Sequence, residues 1–190
     1  MEKVLVTGAT GYIGLHCIQQ LLDQGYAVNG SVRSPERKDE IYDALKKHNT
    51  PTENLKIFTF NLTEDSGWDE GMEGCDYLLH VASPLALANH GEEFFVGPAV
   101  SGAKRALKFA KKHNVKKVVL TSSVAAIFET TVLKEYYDES DWSDPNKDTI
   151  NHYAKSKTLA EMAAWDFVKE ENNPFELAVI NPALVIGPSL

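Results

Sequence analysis

Tyr153 and Lys157 close the run Tyr153-Ala154-Lys155-Ser156-Lys157, a spacing that puts a phenol and an ammonium one turn apart on one helix face. An unperturbed phenol titrates at about pH 10, too high for ready proton exchange at neutral pH. A neighbouring ammonium favours the phenolate, so the pair can act as acid and base. The same spacing also arises from a surface tyrosine beside a solvated lysine, and context must decide. Part of that context is Thr121-Ser122-Ser123, which puts two serine hydroxyls where a strand ends.

A second chemistry stands near the amino terminus. Gly8, Gly11 and Gly14 are spaced Gly-x-x-Gly-x-x-Gly directly after the apolar run Val4-Leu5-Val6. This pattern seats a pyrophosphate: Gly8 permits a tight turn, Gly11 lets the backbone approach phosphate, and Gly14 lets the helix pack close to the strand. The amides opening that helix are unpaired donors at its positive end. A dinucleotide site next needs a group about 20 residues further on for the adenosine ribose. NAD calls for a carboxylate there, and no Asp or Glu occurs between Asp23 and Glu36. Arg33 occupies the place, with Arg37 and Lys38 following. Guanidinium holds phosphate through paired hydrogen bonds, so the expected nucleotide is NADP, the other reading being ordinary surface cations near a helix start.

The elements that must position these groups follow from periodicity. Strands are expected at Val4 to Thr7, Ala27 to Val32, Leu55 to Phe60, Asp76 to Val81, Val115 to Leu120 and Glu176 to Ile180. Helices are expected from the third glycine to about Gln24, from Ser34-Pro35 to about His48 and around Trp68 to Met72. Two more run from Glu92 to His113, where Pro98 should kink the helix or mark its true start, and from Asn151 to Glu171, the longest. Strands alternating with helices imply an α/β fold: a doubly wound parallel (Rossmann) sheet of six or more strands with helices on both faces. In such a sheet the ends of the fourth and fifth strands and the glycine turn share one edge, where ligands bind. The stretch from Glu129 to Asp148 reads as an acidic solvated loop with no metal-ligand spacing.

Composition narrows the function classes. With 190 residues a single domain over 1–190 is expected, and the net charge of −8 argues against nucleic acid or an anionic membrane as partner. Cys17 and Cys75 form neither a metal site nor a disulfide framework. No run approaches membrane-spanning length, and Met1-Glu2-Lys3 leads straight into a strand without a signal peptide, so the cytoplasm is the expected location.

Six segments together carry a family resemblance: Val6-Thr7-Gly8-Ala9-Thr10-Gly11-Tyr12-Ile13-Gly14, Val32-Arg33-Ser34-Pro35, His80-Val81-Ala82-Ser83-Pro84, Thr121-Ser122-Ser123, Tyr153-Ala154-Lys155-Ser156-Lys157 and Asn181-Pro182-Ala183-Leu184-Val185-Ile186-Gly187-Pro188. The chain resembles the extended short-chain dehydrogenases/reductases, in the branch of dihydroflavonol, cinnamoyl-CoA and aldehyde reductases. The resemblance implies an NADPH-dependent reductase acting on a small-molecule aldehyde or ketone, as monomer or homodimer. Tyr153 would be the acid/base, Lys157 would hold the nicotinamide ribose and favour the phenolate, and Ser123 (or Ser122) would bond the substrate oxygen. The cofactor would further meet Gly8, Gly11, Tyr12, Ile13, Gly14, Arg33, Lys38, Asn61, Leu62, Val81, Ala82, Ser83, Pro182 and Val185. Asn61 stands where the family carries Asp, and can still hydrogen-bond the adenine ring. Sugar-nucleotide epimerases carry Asn where this chain has Ala99, which favours the reductase branch. Members continue past the Gly-Pro matching Gly187-Pro188 into a smaller substrate domain, which by the resemblance is mostly absent from these 190 residues. Two other functions fit the same residues, an NAD-dependent sugar-nucleotide epimerase or dehydratase and an NADP-binding protein without catalysis.

Overall fold

A computed structural model describes residues 1–84, 91–128 and 134–190. Among these, β1 (Lys3–Thr7), β2 (Ala27–Val32), β3 (Leu55–Thr59), β4 (Tyr77–His80), β5 (Lys117–Thr121) and β6 (Glu176–Ile180) form one sheet in the order β3-β2-β1-β4-β5-β6. Every pairing is parallel. The order reverses beside β1, so the crossovers leaving β1 and β4 diverge there and open a crevice at the carboxyl ends of those strands.

Alternation along β1 assigns the two faces. Val4 and Val6 pack with Ile18 and Leu22 of α1 (Tyr12–Asp23) and Ile41 and Leu45 of α2 (Lys38–Lys47). Leu5 points the other way, into a core with Trp68 of α3 (Trp68–Met72), Leu107 and Phe109 of α4 (Glu92–Lys112) and Val168 of α5 (His152–Glu170). Full burial of each such aliphatic side chain is worth roughly 1.5–3 kcal/mol, which makes the doubly wound sheet a rigid base for its loops.

Three expectations need correction. The longest helix is α4 with 21 residues, not α5 with 19. Pro98 lies inside α4 and does not mark its start, which is at Glu92; just past the proline, Ala99 and Ala103 pack against Ala160 of α5. The acidic stretch, apart from residues 129–133, which lie outside the described residues, is also more than a solvated loop. Asp141 is buried and pairs with Lys134, while Ser143 bonds Ala125 O and Ala126 O. The stretch is thereby docked on the turn that follows Ser123.

Candidate active site

The β1–α1 turn is built as the glycine spacing requires. Gly8 has φ +72°, a conformation L side chains avoid, and a Cβ there would meet Ala82 Cα at 3.1 Å. A Cβ on Gly14 would lie 2.3 Å from Gly8 O, so the first turn of α1 rides directly on the loop carbonyl. The first helical bond runs from Leu15 N to Gly11 O, and no side chain caps α1. The amides of Tyr12, Ile13 and Gly14 are therefore left at a positive helix end beside the crevice.

Thr7 ties this turn to β4. Its Oγ1 accepts from Val81 N and Ala82 N, both at 3.1 Å, which leaves its own proton for His80 Nδ1 at 3.0 Å. His80 is thus neutral, with its proton on Nε2. Burial, helped by nearby Lys157, pushes its pKa down to about 3.

The hydroxyl and phenol side is held by β5, β6 and α5. Ser122 N and Val124 N donate to Ile180 O and Pro182 O, so the segment after β5 stays zipped to the end of β6. Ser123 Oγ accepts from Ala125 N at 3.2 Å and keeps its own proton to give. Asn151 caps α5 through Ala154 N at 2.8 Å, which fixes where Tyr153 and Lys157 emerge. The Lys157 ammonium stands 5.9 Å from the centre of the Tyr153 ring and donates to Thr121 O at 3.1 Å. Burial draws its pKa down to about 8, against the pull of Glu161 in the other direction.

These parts enclose one cleft of about 760 Å³. Its wall includes Gly8, Gly11, Tyr12, Ile13, Arg33, Asn61, Leu62, Val81, Ala82, Ser83, Ser123, Tyr153, Lys157, Pro182 and Val185. Two expected residues are not on that wall. Gly14 is packed beneath the turn, and Lys38 begins α2, whereas Arg37 reaches the wall. The cause is a 3₁₀ turn at Pro35–Arg37 that precedes α2 and changes the phase of the side chains. Arg37 gives three hydrogen bonds to Glu40; Arg33 is exposed and bonds no described residue. Asn61 accepts from Thr63 N and Oγ1 at 2.6 Å, so its amide nitrogen is the donor it has left.

The donor set fits a phosphorylated dinucleotide: free helix amides at the bend, a free guanidinium at one end, and a phenol, an ammonium and a hydroxyl at the other. Sequence reasoning gave no site role to Phe94 and Pro98, which join the cleft wall, or to Glu161 and Asn181, which bond each other behind Ser123. Glu161 was detectable: it falls one turn after Lys157, among Ala160, Ala163 and Ala164, where a carboxylate stands out.

Comparison with known proteins agrees with this geometry. The model of the NAD dependent epimerase/dehydratase family matches residues 4–189. The chain is 37% identical to the bifunctional dihydroflavonol 4-reductase/flavanone 4-reductase of Pyrus communis and 39% identical to cinnamoyl-CoA reductase 1 of Petunia hybrida, in each case over 100% of this chain and 56% of the relative. Its fold superposes on yeast methylglyoxal/isovaleraldehyde reductase Gre2 complexed with NADPH with a TM-score of 0.81 and 31% identity, over 99% of this chain and 59% of that one. The chain thus spans little more than half the length of these relatives.

Proposed function

Because the chain belongs to the NAD dependent epimerase/dehydratase family, the extended short-chain dehydrogenases/reductases, we propose that it reduces an aldehyde or ketone with NADPH, Tyr153 serving as proton donor. One observation carries this reading: Ser123, Tyr153 and Lys157 meet on the wall of the same cleft that the glycine turn opens. The plant and yeast relatives are reductases by name, and the yeast one was solved with NADPH. Arg33, unpaired among the described residues and placed beyond β2 where NAD would want a carboxylate, supports the phosphorylated nucleotide.

When bound, the reduced nucleotide supplies a hydride for the carbonyl carbon. The chain's own groups handle the oxygen. Ser123, whose hydroxyl proton is taken by no described residue, would donate to the carbonyl oxygen and stabilise the charge that builds on it. Tyr153 Oη would give its proton to that oxygen. Lys157 would hold a positive charge beside the ring as the phenolate forms, with its ammonium steadied by Thr121 O. Arg33 and the free amides of Tyr12 and Ile13 would anchor the nucleotide's phosphates.

The test is Tyr153→Phe. Against a panel of small aldehydes, with dihydronicotinamide absorbance as the readout, turnover should drop by about 10²–10⁴-fold, the usual share of a general acid. NADPH affinity measured by fluorescence titration should stay within about twofold, since the substitution leaves the phosphate contacts alone. Unaltered turnover would remove Tyr153 from the reaction.

A further inference from the structure

A buried carboxylate stands behind the tyrosine–lysine pair. Glu161 follows Lys157 by one turn of α5 and is only 6% exposed. Burying a charge costs several kcal/mol unless it is partnered, so its surroundings are informative. Asn181 Nδ2 donates to Glu161 Oε2 at 2.8 Å and also to Ser123 O at 3.1 Å. Through one amide, then, the carboxylate is tied to the backbone of the serine that lines the cleft.

Its other side faces Lys157 across a void of about 20 Å³, close to the room one water needs. The described groups around that void can be assigned element by element. β4 brings neutral His80, the end of β5 brings Thr121 and Ser122, and α4 brings the alanines Ala99 and Ala103. Ser122 Oγ is buried there without a partner among the described residues. Among the described residues on this wall, Lys157 is the one cation and Glu161 the one anion, while Tyr153 faces Lys157 from the cleft side.

We propose that Glu161 is a positioning residue: its charge, acting across the one-water void, keeps Lys157 protonated, while its bond to Asn181 fixes the Ser123 backbone. An ammonium as buried as this one loses its proton easily, and burial does draw Lys157 down, with Glu161 opposing. The catalytic meaning of the proposal rests on the roles of Tyr153 and Lys157 given above; the electrostatic part does not.

Glu161→Gln removes the charge and keeps both the volume and an oxygen for Asn181. In protein labelled with ¹³C-lysine, the Lys157 εCH₂ signal, assigned by its loss in Lys157→Arg, titrates without any turnover being needed. Its midpoint should fall by about one pH unit in Glu161→Gln, a tenfold change in proton affinity, and stay near the wild-type value in Glu161→Asp. The alkaline limb of the kcat profile should shift downward with it. A midpoint unmoved in Glu161→Gln, or moved equally in Glu161→Asp, would overturn the proposal even if Tyr153→Phe behaves as expected. A chain with no carbonyl turnover but a shifted Lys157 midpoint would overturn the reductase reading and leave the countercharge standing.

Discussion

The protonation state of His80 is decided by a neighbour's hydroxyl. Because Thr7 Oγ1 already accepts from two amides, it can only donate to His80 Nδ1, and a second ring proton has no place to go. The folded-state pKa of about 3 lies below that of an unfolded histidine, so the unfolded chain takes up a proton between about pH 6.5 and 3 that the folded chain refuses. This contribution to stability is complete above pH 6.5 and is lost as the pH falls, by about 1.4 kcal/mol per unit. Urea unfolding at pH 7.0, 6.0 and 5.0 should show that loss setting in around pH 6.5 and steepening toward pH 5.0 in the wild type. His80→Gln, which keeps an oxygen for the Thr7 hydroxyl, should lessen it by close to one proton's worth. Equal slopes in the two proteins would mean that His80 titrates normally in the fold. None of this could be read from the sequence, where His80 is one residue in an apolar run; its state depends on two strands meeting in register. Tyr153 and Lys157 were legible because their relation is local, a matter of helical spacing within five residues.

At the scale of the element, the β1–turn–α1 unit separates two kinds of glycine. Gly14 is spatially excluded from bearing a side chain, since its Cβ would lie 2.3 Å from Gly8 O. Gly14→Ala must push α1 off the loop, at a cost of about 1–3 kcal/mol typical of overpacking, and the amides that face the crevice would move with it. Gly25, at the other end of α1, has open space around it and φ +84°. Gly25→Ala should cost about 1–2 kcal/mol through backbone strain alone. Chemical denaturation would therefore find both variants destabilised, but only Gly14→Ala should lose NADPH affinity, by tenfold or more. Equal affinities in the two would detach the helix start from nucleotide binding. The glycine turn and the central strands were legible because buried parallel strands such as Val4 to Val6 and Leu78 to His80 read as apolar runs and the turn chemistry is written in residue type. The phase of Arg37 and Lys38 was not, because a 3₁₀ turn and an α-helical turn accept the same residues. The extent of α4 was read nearly in full, but whether it starts before Pro98 stayed open, because its small-residue contact with α5 is tertiary.

For the whole molecule, the cleft is a seam between two packing units. The core around Val4, Val28 and Ile41 covers one face of the sheet, and that around Leu5, Trp68 and Phe109 the other. Both feed loops to the cleft, α1 and β2 from one side, β5 and α5 from the other. The segment past β6 also returns to α1, where His16 Nε2 meets Pro188 O at 3.1 Å. A ligand filling the cleft would touch both units at once, so binding should be visible as global stability. Although the chain carries a net charge of −8, Arg33, Arg37 and Lys157 all face this cleft, which makes it the favourable place for an anion. At 100 times its Kd a ligand adds about 2.7 kcal/mol, equivalent to roughly 5–11 °C in Tm for a chain of this size. NADPH should produce that rise, and NADH at the same concentration a clearly smaller one, because only the former has a 2′-phosphate for Arg33. In Arg33→Ala the difference between the two nucleotides should shrink by most of its wild-type value, while the rise due to NADH remains. If NADH and NADPH raise the wild-type Tm alike, the free guanidinium beyond β2 is a surface cation and the cleft takes its nucleotide without regard to the phosphate.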